Sequence, residues 1–197
     1  HRNTRRQRQM CIRDSYKALP FSLTNAQERV IKEIQDDMNK SRPMRRLVQG
    51  DVGSGKTVVA AGAMLTCAKN NLQSVLLCPT EVLAEQHFKN FSIWFARENI
   101  DIEILTGKTK KKDWERIDYD LRSGKIKILI GTHSVFQKRV SMKNLSLVVV
   151  DEQQRFGVKQ RFEMLQKSKE AVLPHQLFMT ATPIPRTLAM TIFADLS

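Results

Sequence analysis

The residues Gly50-Asp51-Val52-Gly53-Ser54-Gly55-Lys56-Thr57 follow the spacing G-x-x-x-x-G-K-[ST], which suits the cradling of a nucleoside triphosphate such as ATP. In such a loop, consecutive backbone N–H groups turn inward around the β-phosphate. The helix that follows adds the positive end of its dipole. Lys56 is expected to reach the β- and γ-phosphates, and the Thr57 hydroxyl to ligate Mg²⁺. A second loaded segment is Asp151-Glu152, at the end of the apolar run Leu147-Val148-Val149-Val150. Two adjacent carboxylates suit two tasks: Asp151 holds Mg²⁺ through its water shell, and Glu152 polarises the attacking water. The catalytic candidates are therefore Glu152, Asp151 and Lys56.

These groups need a scaffold, and the hydrophobic pattern supplies one. Leu47-Val48 reads as a strand entering the loop, and Val58-Val59-Ala60-Ala61-Gly62-Ala63-Met64-Leu65 reads as a buried helix leaving it. Upstream, Thr24-x-x-Gln27 is a capping box, after which Ala26, Val30, Ile34 and Met38 share a helical face. Strands are expected at Ser74 to Cys78, Ile102 to Leu105, Ile126 to Ile130, Leu147 to Val150 and Leu177 to Met179. A helix is expected from about Glu81 to Glu98, and another along Trp114, Ile117 and Leu121, stopped by Gly124. Runs that are apolar on both faces and separated by helices indicate a parallel sheet covered on both sides. Residues 19–197 thus read as one α/β lobe, a RecA-like P-loop NTPase fold. Ligands of such sheets sit at the carboxyl ends of the strands. There the pattern places Gly50 to Thr57, Pro79-Thr80-Glu81, Gly131-Thr132-His133, Asp151-Glu152 and Thr180-Ala181-Thr182.

Composition narrows the setting. The net charge of +13 points to a polyanionic partner, nucleic acid first. Part of it lies in residues 1–15, an aperiodic basic tail that reads as non-native or disordered, with a native basic arm as the alternative. Through Lys17 the sequence carries Arg2, Arg5, Arg6, Arg8, Arg13 and Lys17 against Asp14 alone, and the remainder of the chain is still basic. Lys108, Lys110, Lys111 and Lys112 form its one local cluster. Three scattered cysteines, Cys11, Cys67 and Cys78, lack C-x-x-C spacing. They fit a reducing, cytoplasmic setting and neither a zinc site nor a disulfide framework, and Cys67 and Cys78 read as small buried hydrophobes. No apolar run approaches the ~20 residues of a membrane span, and no secretory signal opens the sequence.

Asp151-Glu152-Gln153-Gln154 and Thr180-Ala181-Thr182 complete a pattern that resembles the first motor lobe of superfamily-two helicases. The match is closest to the RecG branch of bacterial branched-DNA helicases. It is carried by Q-G-D-V-G-S-G-K-T (49–57), P-T-E-V-L-A-E-Q-H (79–87), L-T-G-K (105–108) and G-T-H-S-V-F-Q (131–137). D-E-Q-Q-R-F-G-V (151–158) and M-T-A-T-P-I-P-R-T-L-A-M-T (179–191) extend it to the end of the chain. The transcription-repair coupling factor is similar, but its loop usually reads G-F-G-K-T and its later segment P-T-T-L-L-A-Q-Q-H. Ser54 and the run Glu81 to Glu85 side with RecG. Gln154 stands where RecG proteins usually carry His; a Gln still hydrogen-bonds but carries no charge.

The resemblance implies a lobe that binds ATP and Mg²⁺ and helps a monomeric helicase remodel forked or branched duplex DNA. It implies a DNA track of Pro79, Thr80, Thr106, Gly107, Lys108, Thr132 and His133. Hydroxyls, loop N–H groups and a Lys suit phosphate contacts without sequence readout. It implies an adenine contact by Gln27 with Phe21, though Gln27 already serves the capping box. Coupling of ATP state to motion falls to Gln153, Gln154, Arg155, Thr180, Thr182 and Arg186. A second RecA-like lobe is expected to follow and a wedge domain to precede, so the isolated lobe should be inactive. The alternatives are the coupling-factor translocase and a non-hydrolysing nucleotide-dependent DNA-binding module. A D-E-A-D sequence is absent, which counts against an RNA helicase, and a small-molecule kinase needs no T-A-T-P segment.

Overall fold

A computed structural model describes residues 19–132, 135, 140–151 and 173–181. Six strands form one sheet: β1 (Arg45–Gln49), β2 (Gln73–Leu77), β3 (Ile102–Leu105), β4 (Ile128–Gly131), β5 (Leu145–Asp151) and β6 (His175–Thr180). Their spatial order is β1-β6-β5-β2-β4-β3, and every pairing is parallel. Helices α2 (Lys56–Lys69), α3 (Glu81–Trp94) and α4 (Lys111–Ser123) make the crossovers between β1, β2, β3 and β4, and α1 (Asn25–Met38), which precedes β1, helps to cover one face. This is the doubly covered parallel α/β architecture expected from the sequence.

Strand alternation decides which helix covers which face. Leu76, Ile128, Ile130, Leu147, Val149, Leu177 and Met179 join one core with α1, α2 and α3. Val75, Leu77, Leu129, Val148, Val150 and Phe178 join the other, with Ile117 and Leu121 of α4. Helix α2 is buried from Val59 to Ala68, which its small residues permit.

Three local departures from the expected pattern have physical causes. The inward face of α1 is Ile31, Ile34, Gln35 and Met38, while Ala26 is exposed and Val30 half-buried. Ile31 fits over Gly62, where a Cβ would sit 2.8 Å from its Cδ1, and the Gln35 amide donates to the Thr66 hydroxyl at 2.9 Å. A polar residue with a buried partner therefore joins the packed face, and counting apolar residues misses it. Helix α3 stops at Trp94, because Phe95 has already left helical geometry at ψ 9°. Ile126 is buried in the core, but its amide donates to the Asp120 carbonyl at 3.2 Å, so β4 begins only at Ile128.

Gly131 marks a close approach of backbone to backbone along the carboxyl edge. A Cβ there would lie 2.4 Å from the Leu105 carbonyl oxygen and 2.5 Å from Val135 Cγ2. The first neighbour is backbone of β3 and cannot rotate away. Gly131→Ala is accordingly expected to destabilise the lobe by about 1–3 kcal/mol through overpacking. Chemical denaturation of the variant beside the wild type measures this.

Both described cysteines are buried and unpaired. Burial pushes the Cys67 thiol up to about 12, and burial with the nearby Asp151 charge pushes Cys78 up as well. They fill core space as thiols, while Cys11 lies outside the described residues.

Candidate functional site

The phosphate loop leaves β1 beside β6, with the Gly50 amide donating to the Thr180 carbonyl at 3.3 Å. Gly53 and Gly55 take the left-handed region at φ 82° and 83°. A side chain would strain these turns, which is why the loop needs glycine there. Gly55 is also the N-cap of α2, so Lys56 and Thr57 open the first turn of the buried helix. Lys56 Nζ folds back over the loop and donates to the Gly50 and Asp51 carbonyls at 2.6 and 2.7 Å. The Ser54 amide closes the turn onto Asp51 O at 3.1 Å. Asp51, Val52, Gly53 and Ser54 are exposed, Val52 at 90%.

Gln27 lies against this loop. Its Oε1 accepts from the Thr24 amide at 3.0 Å, and its own amide donates to Thr24 Oγ1 at 3.2 Å, which completes the expected capping box. The other end of the side chain, Nε2, occupies the space a Cβ of Gly55 would take. One residue thus caps α1 and abuts the phosphate loop. Phe21 is half-buried and sets its ring edge-on to Trp94 of α3, centroids 5.1 Å apart.

Asp151 ends β5, and its register partners place it beside β6, opposite Met179. Its side chain is 16% exposed, and Oδ2 lies 3.0 Å from Nε2 of His87. His87 belongs to the second turn of α3, at the end of the P-T-E-V-L-A-E-Q-H run. Thr180 is buried at the end of β6. Glu152, Gln153, Gln154, Arg155, Thr182, Arg186 and His133 lie outside the described residues.

The segments expected to follow DNA meet at the ends of β2, β3 and β4. Thr80 is exposed and caps α3, its Oγ1 accepting from the Leu83 amide at 3.3 Å. Its hydroxyl hydrogen is not consumed by that bond. Lys108 stands 76% exposed. Thr106 and Thr132 are buried, at 6% and 1% exposed. Thr106 serves its own turn, with Oγ1 accepting from the Lys108 amide at 3.3 Å. Of the described track residues, Thr80 and Lys108 are thus the exposed side chains with polar groups, while those of Thr106 and Thr132 are buried.

Glu81, which the sequence marked only as part of a motif, organises this cluster. One carboxylate oxygen accepts from the Gly107 amide at 2.9 Å, and the other meets Lys108 Nζ at 3.1 Å. The Lys108 partner, ahead of the backbone amides, holds the Glu81 carboxyl below its ordinary value of 4.5. A depressed carboxyl contributes its hold above that value and loses it as pH falls through the folded one. In Glu81→Ala, the Gly107 amide is expected to exchange with solvent several-fold faster at neutral pH, and the difference between wild type and variant, compared at matched pH, should vanish in acid below pH 4.5. Amide hydrogen exchange followed by NMR measures both.

Similarity to known proteins is extensive. The DEAD/DEAH box helicase family model matches residues 24–191. RecG, the ATP-dependent DNA helicase of Haemophilus influenzae, is 52% identical over 179 residues, covering 90% of this chain and 26% of that protein. RecG of Aquifex aeolicus is 46% identical over 185 residues, 94% of this chain and 23% of its own length. The chain thus spans about a quarter of the curated relatives it matches. A solved RecG bound to a three-way DNA junction superposes with a TM-score of 0.77 at 42% identity, over 93% of this chain and 24% of that one. The yeast DEAD-box splicing factor Prp28 shares the fold at 22% identity, with a TM-score of 0.65 over 88% of this chain and 44% of its own.

Proposed function

Because the chain belongs to the DEAD/DEAH box helicase family, we propose that it is the ATP-binding motor lobe of a RecG-like DNA helicase that remodels forked and branched duplexes. The observation that carries this reading is the convergence of phosphate loop, Asp151 and the Lys108 loop at one sheet edge. The RecG relatives at about half identity favour that branch over the coupling-factor branch.

ATP would lie over the Gly50 to Thr57 loop, its β-phosphate ringed by loop amides at the N-terminus of α2. Lys56, already poised over the loop carbonyls, would exchange those contacts for phosphate oxygens. Gln27, abutting Gly55, is the described residue best placed for the adenine side, whereas the Phe21 ring is engaged with Trp94. The hard oxygen donors Thr57 and Asp151 fit Mg²⁺, with Asp151 acting through water. That ion would neutralise charge on the β- and γ-phosphates. Glu152, next in sequence, would orient and deprotonate the attacking water. Gln153, Gln154, Arg155, Thr180, Thr182 and Arg186 would pass the ATP state to a second RecA-like lobe.

Thr80 and Lys108 would track DNA phosphates, giving affinity without sequence preference. Binding of forked DNA to this chain should therefore be weak and steeply salt-dependent. Fluorescence anisotropy with labelled forks across a salt series tests it, using a version lacking residues 1–15 and that version carrying Lys108→Ala. Retained salt-sensitive binding that Lys108→Ala weakens supports the track. Loss of all binding with the tail would remove it.

A further inference from the structure

Helix α3 joins two parts of the site that the sequence keeps separate. At its first turn Glu81 grips the Gly107 amide and Lys108. Two turns on, His87 reaches Asp151 Oδ2 at 3.0 Å, across 64 residues of sequence. The imidazole is 8% exposed and packs near the Phe91 ring, centroids 6.2 Å apart. An ionised carboxylate can only accept, so Nε2 carries the proton and donates. Nδ1 is buried with no hydrogen-bond partner among the described residues. Asp151 is thus the only polar group among them that orients the ring, and the ring in turn fixes one carboxylate oxygen.

We propose that His87 is a positioning residue for nucleotide–metal binding: it locks the Asp151 rotamer through Oδ2 and so presents Oδ1 toward the phosphate loop. This rests on the ATP-binding reading above and adds a residue to it. The physical reason is preorganisation. A carboxylate on a strand end has two free torsions, and a partner that fixes them spares metal binding that ordering cost. Helix α3 also gives His87 a rigid base, because Thr80 caps it and Glu81 ties its first turn to the loop carrying Lys108.

The test is binding of a fluorescent ATP analogue to this chain, titrated with Mg²⁺ and repeated in EDTA. His87→Leu and His87→Met remove the donor at similar volume, and His87→Gln returns an N–H near the Nε2 position. The Mg²⁺ midpoint should rise ~10-fold or more in the apolar variants, as for other groups that orient metal ligands. Affinity in EDTA should stay at the wild-type value, and His87→Gln should recover most of the shift. In an Asp151→Asn background, His87→Met should add no further shift, whatever its effect on melting temperature. The proposal is overturned if the midpoint is unmoved, if affinity in EDTA falls in parallel, or if His87→Met acts equally with Asp151→Asn present. Failure of wild type to bind the analogue at any Mg²⁺ concentration would instead overturn the ATP reading itself, and this proposal with it.

Discussion

Steady-state phosphate release from this 197-residue chain is expected to be negligible, with or without forked DNA. Extension through a second RecA-like lobe should raise it by ~10³–10⁵-fold, the range an arginine finger contributes in related phosphoryl transfers. The reasoning concerns charge. Lys56 is the described cation at the phosphate loop, and its position over the Gly50 and Asp51 carbonyls suits the β- and γ-phosphates from one side. Charge spreading over the γ-phosphoryl oxygens in the transition state needs a donor from the opposite side. Arg186 follows the T-A-T-P segment and is proposed for coupling, so the finger is expected from the second lobe. Val52 leaves one side of the loop exposed. Vigorous DNA-stimulated turnover by the chain alone would contradict the two-lobe assignment.

In the two-lobe protein, Glu152→Gln should lower kcat by ~10²-fold or more if Glu152 is the base. ATP binding should be retained, because the Gln side chain is nearly isosteric and the phosphates are held elsewhere. Asp151 is committed to His87 on the α3 side. Single-turnover hydrolysis alongside ATP-binding isotherms separates the two effects. Unchanged turnover in Glu152→Gln would remove this residue from the chemistry.

Legibility of the fold followed from periodicity. β2 is buried along its whole length and β5 nearly so, and both read as strands apolar on both faces. The phosphate loop was legible because its glycines and Lys56 lie within eight consecutive residues. The Thr24 and Gln27 capping box was legible for the same reason. Contacts distant in sequence were not. Glu81 and Gly107 are 26 residues apart, and nothing in their spacing announces the bond between them. His87 read as one letter of a motif until β2 and β5 pairing brought α3 beside Asp151. The resemblance implies that Thr106 and Thr132 line the DNA track, and their burial follows from the pairing of β3 with β4, which the sequence does not display. The inward turn of Gln35 likewise depended on Thr66 of a different helix.

Calorimetric titration of ATP into this chain in the presence of Mg²⁺ tests the central claim most directly. One site per chain should be seen, and Lys56→Ala should weaken it strongly, because the charge facing the β- and γ-phosphates is gone while the α2 helix, buried from Val59 onward, remains packed. The melting temperature of the variant without nucleotide should match wild type, showing that the loss is local. No detectable ATP binding by the wild-type chain, or equal binding by Lys56→Ala, would contradict the assignment of Gly50 to Thr57 as the nucleotide site.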